Sequence, residues 1–441
     1  MSKITESAPA APAENQRARK GWLMYDWANS VYSLVISSAI FPIFYTAVTT
    51  SGEGESITDH VQFFGIDLIN SELYSYVIAA SFLVVIILSP LLSGIADYAG
   101  KKLFFLKVFC YTGAISCIAM FFFDAEHLEL SMLALFFANI GFWGSLGFYN
   151  AFLPEIAPKE EHDSLSARGY VYGYIGSLIL LLICLGFILG VGEHLTRWSF
   201  VLVGIWWMVW AQFSFRRLPH STRNKGDDHV FWKGFLELRE VARSLKGNSQ
   251  LVRYLLSFFV MSMGVQTIML MATFFGTKEL GLPSDVLIIS IVLVQIIAIP
   301  GAFLFSRLSR RFGNIPILIC ATILWGGACF FAYGLVHGQN TFFIAAGLIG
   351  FMMGGTQSLN RSTYSKMIPT TDDNASYFSF YEVLEKGGII VGMVCWGVLE
   401  GLSESMRDSV LFLTVFFAIS LLILLSVPRL RRKQGGSEGA V

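Results

Sequence analysis

Twelve apolar stretches, each long enough to cross a bilayer as a helix, divide this sequence from end to end. They lie near residues 22–48, 73–95, 103–123, 131–153, 170–191, 198–214, 251–274, 286–306, 315–336, 341–359, 377–399 and 409–427. A spanning helix needs about 20 mostly apolar residues, because the hydrocarbon core is about 30 Å thick. In lipid, every backbone N–H and C=O must find its partner inside the protein, which leaves helices or closed barrels. Composition excludes a soluble alternative. Charged residues make up 14% of the chain and apolar residues 54%, against roughly 25% charged in soluble domains. The expected fold is an all-α integral membrane protein of twelve transmembrane helices.

Charge placement gives an independent check. Of 31 Lys and Arg, only Lys107, Arg253 and Lys386 fall inside the blocks, and only Arg197, Lys278 and Arg407 fall in alternate loops. All the others collect in the remaining loops and the two ends. Basic residues favour the cytoplasmic face, so both termini are expected in the cytoplasm and the chain in the cell inner (plasma) membrane. The first outer loop, Thr49 to Glu72, carries five acidic residues and no Lys or Arg.

The chain divides into two halves. Residues 1–20, rich in Ala, Pro, Glu and Ser, read as a disordered cytoplasmic arm. Residues 21–214 form a first six-helix bundle, 251–428 a second, and 429–441 a cytoplasmic tail. Between the bundles, 215–250 is a basic cytoplasmic linker in which Phe231, Phe235, Leu238, Val241 and Leu245 recur at helical spacing. That spacing describes an amphipathic helix on the inner leaflet, or a docking site for a regulatory partner. The halves echo each other. Asp97-Tyr98-Ala99-Gly100-Lys101-Lys102 closes the second block and Arg310-Arg311-Phe312-Gly313 the eighth; Asn150 ends the fourth and Asn360 the tenth. Two halves repeated in the same orientation imply a site between them.

Several function classes drop out. Net charge is zero, so nothing overall points to nucleic acid. No GxxxxGK[ST] loop is present to bind ATP. The six cysteines fall in apolar blocks without a CxxC pair, and the seven histidines all fall in expected loops. Neither a metal site nor a histidine proton relay inside the membrane is therefore expected, and no cofactor.

Polar residues inside the blocks are the candidates for function, since a charge at mid-bilayer costs about 2.5–3.5 kcal/mol on insertion scales. Asp26, Asn29, Ser30 and Ser33 share one face of the first block. That stripe faces a wet cavity, or Asp26 merely caps the helix N-terminus. In the eleventh block Glu382 and Lys386 are four apart, in the favourable order for an ion pair, and Glu385 has no local partner. These three carry a proton with the solute, or they form a structural network. Asn139 and Asn150 in the fourth block, Gln266 and Gln295 in the seventh and eighth, and Gln357 and Asn360 in the tenth can orient a zwitterion, or bond neighbouring helices. Arg361 is expected at the inner surface. Gly169, Gly173 and Gly176 read as close helix packing.

The turn Ser93 to Lys102 resembles the loop signature of major facilitator transporters, with Ser93 in place of a Gly and Tyr98 in place of an Arg. The resemblance implies the major facilitator fold and an inner gate involving Asp97, Gly100, Lys101 and Lys102, echoed by Arg310, Arg311 and Gly313. Four further strings narrow the family: Tyr25-Asp26-Trp27-Ala28-Asn29-Ser30, Phe148 to Glu155, Ser166 to Gly176, and Gly355 to Ser362. They resemble the autophagy-related vacuolar amino-acid effluxers and their bacterial relatives. In the last string Asn360 stands where Ser is commoner. The resemblance implies secondary transport of a small solute by alternating access, with amino-acid export and protons as the coupling ion as expectations. Uptake or efflux of another amphipathic compound, or a non-transporting sensor on the same scaffold, are the alternatives. Catalysis is not expected.

Overall fold

In a computed structural model, residues 12–50, 59–220, 230–403 and 405–427 are described. Residues 1–11 of the expected arm and the whole of the expected tail, 429–441, lie outside them, as do residues 51–58, 221–229, 404 and 428. The first span is broken. Helix α1 (Pro12–Val31) passes through a π-helical segment, Tyr32–Ala39, and bends by 40° into α2 (Phe41–Thr49). Pro42 in the first turn of α2 has no N–H to give the preceding turn, so the ladder breaks there. An antiparallel hairpin follows, β1 (His60–Phe63) with β2 (Ile66–Ile69), His60 facing Ile69. Its two-residue turn needs two left-handed residues, and Phe64 and Gly65 supply φ of 48° and 77°.

The remaining spans are α3 (Asn70–Ala99), α4 (Lys102–Ala119), α5 (Leu128–Asn150), α7 (His162–Gly190), α8 (Thr196–Phe215), α10 (Ser249–Phe274), α11 (Ser284–Phe312), α12 (Asn314–Leu335), α13 (Gln339–Met367), α14 (Asn374–Ser403) and α15 (Met406–Leu425). Short α6 (Leu153–Ile156) follows α5, and α9 (Val230–Gly247) joins the halves. Ten of these helices are apolar and long enough to cross a membrane, and the bent first pair makes an eleventh. Helix α14 has the length but carries Glu382, Glu385 and Lys386; with it the count matches the twelve blocks. An even number of spans puts the start of α1 and the end of α15 on one face, called here the base; the opposite face is the mouth.

One apolar core fills the first half around Trp22, Tyr25, Phe148 and Trp207, and another fills the second around Trp325, Cys329 and Phe417. Large side chains such as Ile87, Phe104, Phe122, Leu189, Phe330 and Leu422 face outward, each more than half exposed. An apolar belt of that extent suits lipid. The halves meet where α3 and α5 pack on α14, and where α7 packs on α11 and α13. Tight turns link α3 to α4 and α11 to α12, through Gly100 at φ 66° and Gly313 at φ 90°, which only glycine adopts without strain.

Four expectations change. The arm is helical from Pro12 onward, because Ala18 is buried and Arg19 pairs with Glu161 and the Ile156 carbonyl. Helix α13 runs past the expected block end at 359 to Met367, and takes Arg361 into the interior, 2% exposed. The string after Leu359 is polar because it is satisfied inside the protein, Arg361 and Lys366 by the other half and Asn360 and Thr363 by their own. His162 too leaves the expected loop: it opens α7 as a buried residue, 1% exposed, its Nε2 3.0 Å from the Ala157 carbonyl. Linker helix α9 packs on α3, burying Val241 and Leu245, and Ser244 meets Tyr377 of α14.

Asn139 belongs to this packing within the first half. It accepts from Tyr32 Oη at 3.2 Å and donates to Ser81 Oγ. Asn139→Ala should leave Tyr32 without its acceptor and lower stability by about 1–3 kcal/mol, seen as a drop in thermal midpoint. Solute turnover per folded molecule should stay within twofold of wild type; a transport defect without a stability loss would place Asn139 in the pathway.

Candidate functional site

The polar groups between the halves form three levels from the base upward. At the base, the Asp97 carboxylate, 2% exposed, accepts from the backbone N–H of Ala375 at 3.2 Å and of Ser376 at 2.7 Å. Those are free first-turn donors of α14, where the helix dipole favours an anion. Beside it Lys102 pairs with Glu155, which also accepts from Asn374 at 3.1 Å.

The opposite corner inverts the arrangement. Asp163, in the first turn of α7, accepts from Ser309 at 2.8 Å, Asn314 at 2.8 Å and Lys366 at 2.5 Å. Lys159 adds bonds to the carbonyls of Lys366 and Ile368. Here the carboxylate sits on the helix start and its donors around the turn after α11. Arg310 and Arg311, expected to echo the Asp97 turn, are exposed, as is Lys101. The repeat preserved the turn but not the charge.

The middle level centres on Arg361. Its Nη1 and Nη2 each lie 3.2 Å from Asp26 Oδ2, its Nε donates to Ser166 Oγ at 2.9 Å, and Nη2 also donates to the Ser166 carbonyl at 2.8 Å. Nη1 reaches Asn150 Oδ1 at 3.4 Å. The guanidinium carbon stands 4.1 Å from the Tyr170 ring centre, 4.6 Å from Trp22 and 5.6 Å from Tyr149, and Tyr149 Oη donates to Asp26 at 2.7 Å. Cation–π contacts of this kind strengthen when water is excluded. Gly169 is required here: a Cβ would collide with Asp26 Oδ2 and stand 2.8 Å from Arg361 Nη2 and 2.9 Å from Trp22. Asp26 lies deep within α1 and caps nothing.

The third level is on α14. Lys386, 0% exposed, pairs with Glu382 and lies 3.0 Å from Glu385. Its ammonium stands 4.3 Å from the Trp143 ring centre. Asn150 donates to Glu382 at 3.0 Å, so one amide touches both the Arg361 and the Glu382 clusters. Glu385 is not unpartnered: Gln266 donates to it at 3.1 Å. Of the three it alone is appreciably open, its side chain 16% exposed against 2% for Glu382. Among ionised groups, Asp26 and Arg361 cancel, while two carboxylates share Lys386.

The other expected residues take lesser places. Gln357 accepts from Tyr174 at 3.0 Å across the halves. Asn360 turns to Tyr254 within its own half, and Ser33, in the π-helical segment, donates to the Ser30 carbonyl at the end of α1. Asn29 Nδ2 and Gln295 Oε1 have no partner among the described residues. The reading of separate blocks missed Arg361, Ser166, Tyr149, Tyr170, Asp163 and Lys366 as site residues. Yet the four strings singled out in the sequence, at 25–30, 148–155, 166–176 and 355–362, all converge on Arg361. Their shared polarity inside apolar blocks was the signal.

The base carries direct cross-half bonds at both corners, so weakening one should open it. Asp97→Asn removes the charge on the α14 N-terminus, worth about 0.5–2 kcal/mol. Thiol labelling of a cysteine placed at Asn374 should then quicken by about 2- to 30-fold with little loss of folded protein. Unchanged labelling would make Asp97 a turn residue only.

Comparison with known proteins gives the family and the fold. Residues 14–436 match the family model described as vacuole effluxer Atg22 like. The chain is 30% identical over 420 residues to the uncharacterized MFS-type transporter YxiO of Bacillus subtilis (strain 168), covering 93% of this chain and 95% of that one. It is 23% identical to autophagy-related protein 22 of Kluyveromyces lactis, over 94% and 96% of the two chains. Among solved structures, human organic anion transporter MFSD10 superposes with a TM-score of 0.68 at 14% identity, over 94% of this chain and all of that one. The Escherichia coli fucose:proton symporter FucP gives 0.66 at 15%, over 95% and 99%. The fold and a family match over residues 14–436 agree: the chain belongs to the Atg22-like family of major facilitator secondary transporters.

Proposed function

We propose that this protein exports a small zwitterionic solute of the amino-acid class by alternating access, driven by proton exchange at Glu385. The observation that carries the reading is the charge count at α14. Glu382 and Glu385 share the single ammonium of Lys386, so the cluster is one negative charge in excess when both are ionised. A buried charge without a counter-charge is costly. A proton on Glu385, or the ammonium group of a solute beside it, restores neutrality, and the two therefore compete. Competition of that kind is an elementary form of antiport. Glu385 is the exposed member and Gln266 the group that orients it. Glu382, buried with both Lys386 and Asn150, is the structural member.

Export is supported by the family's description as vacuole effluxers, and a zwitterionic solute of the amino-acid class is consistent with carboxylates, Lys386 and amides gathered between the halves. A cytoplasmic base in the cell membrane is supported by the basic residues gathered there. Asp26, Asn29 and Ser30 on α1 with Gln357 on α13 complete the pathway across the halves, and the Asp97 and Asp163 corners act as its inner gate. The two six-helix bundles, 21–214 and 251–428, move as the rocking units.

Two measurements test this. In proteoliposomes, Glu385→Gln should abolish pH-driven flux while solute exchange persists within about threefold of wild type, and Glu382→Gln should mainly lower the thermal midpoint. Full pH-driven flux in Glu385→Gln would overturn proton coupling at this site. Reporter fusions should read outside after Val48 and inside after Lys102; the reverse pattern would invert the base and the direction of transport.

A further inference from the structure

Every group that holds the Arg361 guanidinium belongs to the other half of the molecule. Trp22 and Asp26 come from α1, Tyr149 and Asn150 from α5, and Ser166 and Tyr170 from α7, whereas Arg361 comes from α13. Together they offer a carboxylate, a hydroxyl, a carbonyl and an amide oxygen around the plane of the cation, with three aromatic rings near it. Such a set is a complete receptor for a flat or tetrahedral organic cation. It does not depend on the second half for any of its parts. The bonds that bring Arg361 into it lie in the interface that closes the base.

We propose that this pocket of the first half is an entry site that takes the cationic end, guanidinium or ammonium, of the transported solute when the base is open, before it reaches Glu385, and that Arg361 is a tethered stand-in occupying it while the base is closed. The inference rests on the alternating-access reading. When the base opens, the second half withdraws Arg361 and leaves Asp26 buried among aromatic rings without a counter-charge. That is an expensive state for an empty protein and a favourable one for a protein holding an organic cation. A solute cation thus favours the base-open form, and its departure lets Arg361 return. Arg361 thereby discourages the empty molecule from opening at the base, which would limit leak. An intramolecular competitor also lowers apparent affinity by the fraction of time the pocket is blocked. Removing it should therefore tighten binding even though a protein charge is lost.

The test uses the full chain in lipid nanodiscs, with the six native cysteines replaced by serine and Ser365→Cys as reporter. Ser365 is fully buried, one helical turn from Arg361 toward the base. The probes are n-butylguanidinium, n-butylammonium and the neutral isostere n-butylurea. Both cations should raise maleimide labelling of the reporter about fivefold or more, and the urea should not; this follows from differential binding to the open form. The response should vanish in Tyr170→Leu and in Asp26→Asn. By calorimetry, Arg361→Ala should bind n-butylguanidinium about tenfold more tightly than wild type, while Arg361→Lys, which keeps a tethered cation and provides a second variant should the alanine form not fold, should not. Equal response to cation and urea, survival of the response in Tyr170→Leu, or unchanged affinity on removing Arg361 would each overturn the proposal. None of these measurements needs flux or a proton gradient. The expected responses in a protein that moves no solute across proteoliposomes would sink the transport reading and leave the pocket standing; solute flux with no effect of the cations would sink the pocket alone.

Discussion

A fully desolvated guanidinium at the meeting of two helix bundles is the constraint on which the rest of this molecule depends. Arg361 cannot lose its proton and cannot be left in an apolar interior without partners. Its demand fixes the placement of Asp26, Ser166 and Asn150, requires glycine at 169, and holds α1, α5 and α7 to α13. A buried pair of this type need not add net stability over a well-packed apolar contact. What it adds is selectivity between arrangements, since satisfying it needs one register of the two halves. A charge pair is therefore more informative about conformational choice here than about how tightly the protein folds.

The three polar levels share a logic. At the base, carboxylates and helix starts from opposite halves are joined, Asp97 to α14 and Asp163 to donors around α11 and α13. At mid-depth, Arg361 and Asp26 are joined; above them, Asn150 ties Glu382 to the first half. Charged groups satisfied across an interface rather than within a half are bistable by construction: separating the halves breaks many bonds together, and each partner must then find water or a ligand. The arrangement is sealed at the base.

The gross plan was legible because lipid imposes it. Only runs of about 20 apolar residues span a bilayer, so an all-helical membrane fold with helices at the apolar blocks follows from hydropathy. The turns at Gly100 and Gly313 were legible for a local reason, since a reversal between antiparallel spans needs a left-handed residue. The Glu382–Lys386 pair was legible from four-residue spacing alone. The ends of the spans were not. At α13 and α7 the blocks stopped where polar residues began, and those residues, Arg361 and Asp163 among them, are polar because they face the other half.

Sequence by itself thus determined that this chain is built of apolar helices of membrane length, where its Lys and Arg gather along the chain, and which polar residues fall inside apolar blocks, because each of these is decided within about one helix length. It could not say which partner resolves each buried charge. Asp26 and Arg361 are separated by most of the chain, yet Oδ2 and Nη2 lie 3.2 Å apart; Asn139, polar and deep like Asn150, faces Tyr32 and Ser81 within its own half. Tertiary structure alone showed which of these groups meet across the halves and which meet within one. An ion or an amide in an apolar helix states a need for a partner, and only the packing of distant helices decides which partner meets it.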